Sequence, residues 1–245
     1  MLLKILGSGT IAGKTNRNCS GYLVDERILI DCGPGIWRAL DSSGSELRLI
    51  NNVLISHFHV DHISDLIVIL WARNVLEIGK EQVFSIFGPP GIKTWYRKLT
   101  MAHSDWIGEL QVEIHELSGN TEKVDNYTIA TISTSHTFNS VCFKITDSSN
   151  KSLFYSGDSG WSENLIEIAD SCDLAIIEAS VSPDNKVPDH LSSRLAAKIA
   201  QMAKVKRLIL THFYPEAFIH DPLTEARKEY GGEITIAQDG LTVAF

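Results

Sequence analysis

Short apolar runs alternate with segments of helical periodicity along the chain. Apolar, β-branched runs bounded by turn residues predict strands, and apolar positions repeated every three or four residues predict helices. The predicted strands are 2–6, 21–31, 52–56, 83–87, 111–117, 127–134, 141–146, 152–156, 173–178, 206–210, 234–237 and 241–244. The predicted helices are 34–41, 63–78, 91–102, 162–170, 192–203 and 222–230. Hairpins interleaved with helices favour an α/β fold in which two sheets pack face to face with helices outside.

A single globular domain covering 1–245 fits the length and the composition. The chain has 245 residues, of which 44% are hydrophobic, and this is ample for one core. The net charge of −8 argues against a broadly basic nucleic-acid surface. No apolar run is long enough to span a bilayer, and the four cysteines form no Cys-x-x-Cys pair. We therefore expect a cytoplasmic protein with reduced thiols and no membrane partner, and a homodimer is left open.

The segment 57–62, which follows a predicted buried strand, brings three imidazoles and a carboxylate within six positions. Imidazole and carboxylate groups together suit Zn²⁺ and its first-row neighbours, and burying them without a metal would be costly. His57 and His59 are two positions apart, so they can point the same way on an extended backbone. Asp61 and His62 then fall in the turn and at the start of the next helix. One turn can therefore supply ligands to two adjacent metal ions.

Three later residues of the same chemical type each follow a predicted strand. His136 comes after an apolar, β-branched run, and Asp158 and His212 follow two further runs of this kind. A lone His after a strand is more often structural than metal-bound. Because active sites lie where strand ends gather and loops begin, several such residues favour a shared metal site.

These ligand-type residues together resemble the motif of the metallo-β-lactamase superfamily of binuclear metallohydrolases. They are His57, His59, Asp61, His62, His136, Asp158 and His212. The segments 6–10, 29–33 and 234–240 resemble the superfamily's first strand, its next hairpin and its last strand, so the resemblance covers nearly the whole chain. It implies a four-layered αβ/βα sandwich of two mixed sheets with outer helices.

The resemblance also implies the cofactor, which is two divalent metal ions. Zn²⁺ is expected, with Mn²⁺ or Fe²⁺ as alternatives. The implied ligands are His57, His59 and His136 for one ion, Asp61, His62 and His212 for the other, and Asp158 as a bridge. A pair of such ions lowers the pKa of a shared water. A metal-bridging hydroxide, oriented by Asp61, would therefore attack the substrate.

Three segments resemble the ribonuclease Z branch of this superfamily. In that branch a His, a short spacer and a Ser precede the next strand, as they do in 136–140. The segment 177–180 resembles its His-Glu-Ala-Thr motif, with Ile in place of the His. The segment 190–192 resembles its His-x-Thr/Ser element, in which the His is thought to protonate the leaving oxygen. The resemblance therefore implies that His190 is a general acid and that Glu178 holds its ring.

Two departures from ribonuclease Z bear on the substrate. Its basic loop commonly reads Pro-x-Lys-x-Arg-Asn, whereas the segment 14–18 reads Lys-Thr-Asn-Arg-Asn and has no proline. Arg17 and Asn18 are kept, and they are candidates for holding a phosphate. Ribonuclease Z also commonly carries a long tRNA-gripping arm between the ligands matched by His136 and Asp158, which here are 22 positions apart (158 − 136). The absence of room for this arm makes tRNA a less favoured substrate.

The sequence thus predicts a metal-dependent hydrolase that cleaves phosphodiester bonds in a small molecule or in RNA. Three alternatives stay open. The first is a tRNA 3′-end processing endonuclease, and the second is a hydrolase of lactones, thioesters or β-lactams. The third is a metal-binding regulator without catalysis, although the complete ligand set argues against it. The sequence specifies neither the natural substrate nor the oligomeric state.

Overall fold

Two mixed sheets form the centre of the molecule in the computed structural model, which describes residues 1–12, 16–185 and 187–245. The strands are β1 (Leu2–Gly7), β2 (Gly21–Val24), β3 (Ile28–Ile30), β4 (Asn52–Leu54), β5 (Phe84–Gly88), β6 (Val112–Glu116), β7 (Thr121–Val124), β8 (Tyr127–Ser133), β9 (Val141–Asp147), β10 (Ser152–Tyr155), β11 (Leu174–Glu178), β12 (Arg207–Thr211), β13 (Glu233–Ile236) and β14 (Thr242–Ala244). The first sheet has the order β14-β1-β2-β3-β4-β5-β6, and the second has the order β13-β12-β11-β10-β9-β8-β7.

Helices cover the outer face of each sheet. They are α1 (Ile36–Ser42), α2 (Val60–Ile63), α3 (Leu66–Val75), α4 (Ile78–Glu81), α5 (Ile92–Ile107), α6 (Glu163–Ile168), α7 (Ser193–Met202) and α8 (Pro222–Ala226), with 3-10 turns at Leu47–Leu49 and Pro215–Phe218. One apolar cluster joins α1, α3 and α5 to the first sheet, and another joins α6, α7 and α8 to the second sheet. Within the described ranges, no helix is long and apolar enough to cross a membrane.

The core between the sheets takes side chains from both of them. Leu3 and Tyr22 of the first sheet lie in one cluster with Phe143 and Ile176 of the second. β11 shows how the layers form, because Ile176 faces this central core while its neighbours Ala175 and Ile177 face the helices. A strand covered on both faces reads as a continuous apolar run rather than an alternating one. The predicted four-layered αβ/βα sandwich of two mixed sheets is therefore confirmed.

The structure corrects several predicted element boundaries. The predicted strand 21–31 is a hairpin of β2 and β3, because Asp25 and Glu26 take positive φ values of 49° and 58° and turn the chain. The predicted helix 63–78 is divided into α2, α3 and α4. Asp65 separates the first two helices, because its backbone N–H donates to the carbonyl of Cys32 at 2.8 Å instead of to the preceding helical turn. Glu77, at φ 59°, begins the third.

One strand was missed altogether. β7 carries three polar residues in four, so its sequence has no apolar run. It forms because it lies at the edge of the second sheet, where it pairs in antiparallel register with β8 from Thr121 opposite Ala130 to Val124 opposite Tyr127. Solvent can cover one side of an edge strand, so polar residues are tolerated there.

Candidate metal centre

The predicted ligand residues follow strands whose ends meet at one edge of the sandwich. His57 follows β4, His136 follows β8, Asp158 follows β10 and His212 follows β12. Strands β10 and β12 both run parallel to β11, which lies between them, so their carboxyl ends point the same way. His59 is extended, with φ −64° and ψ 146°, and α2 begins immediately after it. The predicted turn between a strand and a helix is therefore present.

The seven side chains form two groups. The ligand-type atoms of His57, His59, His136 and Asp158 all lie within 4.8 Å of one another. Those of Asp61, His62 and His212 form a second group within the same distance. Each group combines residues of the 57–62 segment with residues that follow strands of the second sheet. The first group includes Asp158, which also lies within the same distance of His190 and His212 in a further group.

Asp158 lies between the two groups, and each of its carboxylate oxygens faces one of them. Oδ2 is 3.8 Å from Nε2 of both His57 and His136. Oδ1 is 3.3 Å from Nε2 of His62 and 3.5 Å from Nε2 of His212. Burial alone would raise the pKa of Asp158, but the surrounding imidazoles hold it well below its usual range. The carboxylate is therefore an anion within reach of both groups.

Hydrogen bonds at Nδ1 leave Nε2 of four rings as the inward-facing acceptor. Nδ1 of His57 donates to Ser56 Oγ at 3.0 Å, and Nδ1 of His62 donates to Asp31 Oδ2 at 2.7 Å. Nδ1 of His136 donates to the carbonyl of Asp189, and Nδ1 of His212 donates to Ser180 Oγ. Metal-binding histidines usually have their second nitrogen fixed in this way.

The inward atoms lack the partners that buried polar groups normally have. Among the described residues, His57 Nε2 and Asp158 Oδ1 are buried without a hydrogen-bond partner. Nε2 of His62 and Nε2 of His212 are only 3.1 Å apart, although both rings already donate through Nδ1. Imidazole nitrogens and carboxylate oxygens that converge in this way fit divalent cations, since an ion would supply the missing partner. The residues present therefore fit a pair of metal ions.

A buried aspartate, Asp31, holds one of the candidate ligand rings in position. Asp31 directly follows β3 and takes a φ of 54°, which is uncommon for a residue other than glycine. Besides His62, its carboxylate accepts hydrogen bonds of 2.7 Å from the hydroxyls of Ser56 and Tyr155. This backbone conformation and these donors together fix the carboxylate that orients the His62 ring.

His190 and Glu178 form a pair beside the two groups. Nδ1 of His190 lies 3.0 Å from Glu178 Oε2, and the His190 ring centroid is 4.9 Å from that of His136. Burial alone would lower the pKa of His190, but the hydrogen bond and the charge of Glu178, with smaller contributions from Asp158 and Asp189, raise it to about 9. The imidazole therefore holds a proton near neutral pH in this environment.

Glu178 is itself held by its neighbours. The backbone N–H of Ser159 donates to Oε1 at 2.5 Å, and the hydroxyl of Ser180 donates to Oε2. The same Ser180 oxygen accepts from His212, so one hydroxyl joins a predicted metal ligand to the carboxylate that holds His190. The structure brings His190 and Glu178 together as the sequence indicated.

Arg17 and Asn18 make contacts within the chain itself. Arg17 donates to Ser8 Oγ at 2.6 Å and to the carbonyl of Ala237, and its guanidinium lies 5.2 Å from the ring centroid of Phe213. The Asn18 side-chain amide donates to the carbonyl of Leu6 at 3.0 Å. Lys14, which the sequence places in the same basic loop, lies outside the described residues. Phosphate binding by Arg17 and Asn18 stays a prediction.

Comparison with known proteins agrees with this arrangement. The model of the Beta-lactamase superfamily domain matches residues 26–213, which is most of the chain. The chain belongs to this superfamily. It is a metallo-hydrolase by fold, and its His and Asp cluster is of the kind that binds divalent metal ions.

Relatives within the superfamily include two curated proteins. The chain is 31% identical to a probable metallo-hydrolase, YhfI of Bacillus subtilis, and the match covers 92% of each chain. It is 25% identical to a ribonuclease Z of Myxococcus xanthus over 303 aligned positions, which cover 98% of this chain and 96% of the relative. The resemblance to ribonuclease Z relatives is thus confirmed.

Solved structures show the same superfamily fold. The crystal structure of YhfI from Bacillus subtilis superposes with a TM-score of 0.86 at 24% identity and covers 99% of this chain and 98% of that one. The short form of human tRNase Z superposes with a TM-score of 0.80 at 21% identity and covers 100% of this chain and 99% of that one. At these identities the likeness concerns the fold.

Sequence reasoning missed the residues that hold the candidate metal ligands in place. Tyr155 and Ser180 carry no motif of their own, and their partners lie far away in the sequence. Asp31 had a signal, since it precedes Cys32 and Gly33 in a segment that resembles the superfamily. Tyr214 follows His212 by two positions, and its ring centroid lies 5.9 Å from that of His212 and 6.0 Å from that of His190.

Proposed function

We propose that the protein is a binuclear metal-dependent phosphodiesterase. The observation that carries this proposal is the His190–Glu178 pair, in which Nδ1 of His190 lies 3.0 Å from Glu178 Oε2 and a ring nitrogen of His190 lies within 4.8 Å of Asp158 and His212. A hydrolase of esters with poor alcohol leaving groups needs an acid in this position, whereas cleavage of a strained or activated carbonyl needs it much less.

The proposed ligand assignment follows the two groups of side chains. His57, His59 and His136 would hold one ion, Asp61, His62 and His212 would hold the other, and Asp158 would contact both. The bridging role of Asp158 is supported by its two oxygens, since Oδ2 faces His57 and Oδ1 faces His62. Zn²⁺ is the expected metal, because imidazole nitrogens outnumber carboxylates among the ligands.

Each residue of the site has a defined part in the proposed reaction. The ions, when bound, lower the pKa of a water and offset negative charge on the substrate. Asp61 would orient the attacking water by accepting its hydrogen bond. The water first loses a proton to solvent, and the resulting hydroxide forms the new P–O bond. As the P–O bond to the alcohol breaks, His190 would deliver a proton from Nε2 to the departing oxygen. Glu178 would keep the ring in position, since it holds Nδ1.

A comparison of substrate classes tests the proposal. Protein loaded with Zn²⁺ or with Mn²⁺ is assayed on bis-p-nitrophenyl phosphate, a dinucleoside monophosphate, and panels of lactones, thioesters and β-lactams. We expect turnover of the diesters and little turnover of the carbonyl substrates. Faster cleavage of a lactone, thioester or β-lactam would replace this proposal with the carbonyl hydrolase. Metal binding without turnover of any substrate would favour a regulator.

A tRNA 3′-end endonuclease is the second candidate, because relatives are named ribonuclease Z and tRNase Z. The segment between His136 and Asp158, however, contains only the hairpin of β9 and β10. The Myxococcus xanthus alignment has 303 positions against 245 residues here, so that relative has additional segments. We expect small diesters to match or exceed precursor tRNA in kcat/KM. A preference for precursor tRNA of several orders of magnitude would favour the second candidate.

A further inference from the structure

A cavity of about 340 Å³ adjoins His190 on the second-sheet side of the site. Most of its wall is apolar, and the side chains that define it include Trp161, Val181, Pro188 and Leu195. Its volume lies in the range of small-molecule sites, which are concave, mainly apolar and supplied with a few polar groups. None of the predicted metal ligands belongs to its lining, so the cavity is a separate compartment that shares only His190 with the reaction centre.

Three segments build this cavity, and close packing holds two of them together. The loop after β10 carries Trp161, and the loop that leads to α7 carries Pro188 and His190. These loops touch at Gly160, where a Cβ atom would lie 1.8 Å from the carbonyl oxygen of Pro188. On the other side, Val181 forms a parallel bridge with Ser192 at the start of α7. Backbone contacts therefore hold the Trp161 loop against Pro188, and Val181 against the start of α7.

The position of the cavity relates it to the leaving group. Because Nδ1 of His190 is bonded to Glu178, proton delivery in the proposed reaction uses Nε2. The oxygen that receives this proton must lie against the imidazole, and the rest of the alcohol must then extend past His190. The adjoining cavity offers that alcohol an apolar wall with an indole ring.

We propose that this cavity binds a nucleobase carried by the alcohol leaving group, with the base packed against Trp161. A nucleobase is flat, and the faces of all the common bases can stack on aromatic side chains. The cavity would thus select nucleoside-containing diesters over alkyl diesters. This inference rests on the proposed phosphodiesterase function and adds its leaving-group specificity.

The kinetic test compares two substrates that differ in one base. A dinucleoside monophosphate is compared with an analogue that lacks the base of the leaving nucleoside, so the bond broken and the leaving oxygen stay the same. For the wild type, removal of the base on the leaving nucleoside should lower kcat/KM roughly 10- to 100-fold, mainly through KM. In Trp161→Ala this difference should disappear, and Trp161→Phe should restore part of it.

Trp71→Ala serves as the matched control. Trp71 lies on α3 with 47% of its surface exposed, packs edge-on against Trp106 and does not line the cavity. It should keep the full discrimination between the two substrates. If Trp161→Ala slows both substrates equally, or if the wild type does not distinguish them, the cavity does not bind the base.

A binding measurement separates this inference from the proposed function. Adenosine, which has no phosphate, is titrated into the metal-loaded wild type and followed by protein NMR, with ribose as the control ligand. Saturable binding that Trp161→Ala abolishes and Trp71→Ala retains supports the cavity even if no diester is cleaved. Hydrolysis of diesters together with no adenosine binding overturns the cavity proposal and leaves the phosphodiesterase intact. Failure of both overturns both.

Discussion

The phenol of Tyr155 donates a 2.7 Å hydrogen bond to Asp31 Oδ2 across the interface between the two sheets. Tyr155 is the last residue of β10 in the second sheet, and Asp31 follows β3 in the first. Since the same oxygen accepts from Nδ1 of His62, a residue of one sheet positions a metal-ligand candidate carried by the other. The geometry of the centre therefore depends on how the sheets pack.

Replacement of Asp31 by Asn should weaken metal binding while preserving the fold. Asn tolerates the φ of 54° but cannot accept all the hydrogen bonds that now converge on the carboxylate. Loss of such a supporting contact typically costs about 10- to 100-fold in metal affinity. Competition with a chelator for Zn²⁺ measures the change.

Asp25→Asn is the matched control for this prediction. Asp25 also has a positive φ, of 49°, and also accepts a 2.7 Å hydrogen bond from a tyrosine, Tyr127, but it lies in the β2–β3 turn away from the ligands. Its replacement should leave Zn²⁺ affinity unchanged. Equal affinities in Asp31→Asn and the wild type would show that this carboxylate does not position His62.

Asp158→Ala should reduce the metal content from about two ions per chain and abolish hydrolysis. Its two oxygens face the two ligand groups separately, so its loss affects both. Elemental analysis of protein purified without chelator measures the content, and Asp41→Ala on the exposed side of α1 is the control. A wild-type protein that contains no metal and takes none up on titration would end the binuclear assignment.

His190→Ala should slow cleavage of a diester with an unactivated alcohol leaving group by about 10²- to 10⁴-fold. A p-nitrophenyl diester should lose much less, because p-nitrophenolate leaves without a proton. Glu178→Gln should show the same pattern more weakly, since it acts by holding the ring. His220→Ala is the control, because the imidazole of His220 pairs with Asp184 and with none of the candidate ligands. Equal losses on both substrates, or loss of metal, would show that His190 is not the acid.

Acid should destabilise the protein partly through Asp173. Burial alone would raise the pKa of Asp173, but hydrogen bonds from Lys206, the Ser152 backbone and Lys151 lower it from 3.8 to about 2. A carboxylate with a lowered folded-state pKa stabilises the fold above its unfolded-state pKa, and this contribution is lost between about pH 4 and pH 2. We expect about 1 kcal/mol, because Lys206 is two-thirds exposed and its charge is screened.

Urea unfolding at pH 6 and at pH 3 measures this effect. Asp173→Asn should be less stable than the wild type at pH 6, and the difference should shrink at pH 3. Asp170→Asn, an exposed neighbour, should follow the wild type at both values. A constant difference between Asp173→Asn and the wild type across this range would assign the effect to something other than ionisation.

The sequence singles out the ligand candidates because their signal is local. His57, His59, Asp61 and His62 share one turn, and the later candidates each follow an apolar run that is long enough to recognise. The supporting contacts could not be found in this way. Tyr155 is 124 positions from Asp31, and only the register of the sheets brings the two side chains together.

The fold was predicted at the level of layers, and less well at the level of boundaries. Strands that are buried on both faces, such as β11, have continuous apolar sequences that are recognisable wherever the strand lies in its sheet. β7 was missed because an edge strand needs pairing partners rather than an apolar face. The hairpin at Asp25 and the division of the 63–78 helix depend on backbone conformations that hydrophobic periodicity does not report.

β14 pairs with β1 in the first sheet, with Leu2 opposite Ala244, although β13, which precedes it, belongs to the second sheet. The contact joins residues about as far apart along the chain as any in the molecule, and such pairings form slowly because a long loop must close first. During synthesis on a ribosome, β1 keeps an open edge until residues 242–244 have left the exit tunnel. In that interval the unpaired edge of β1 is available to strands of other nascent chains. At high expression, newly made protein is therefore most prone to aggregate through this edge.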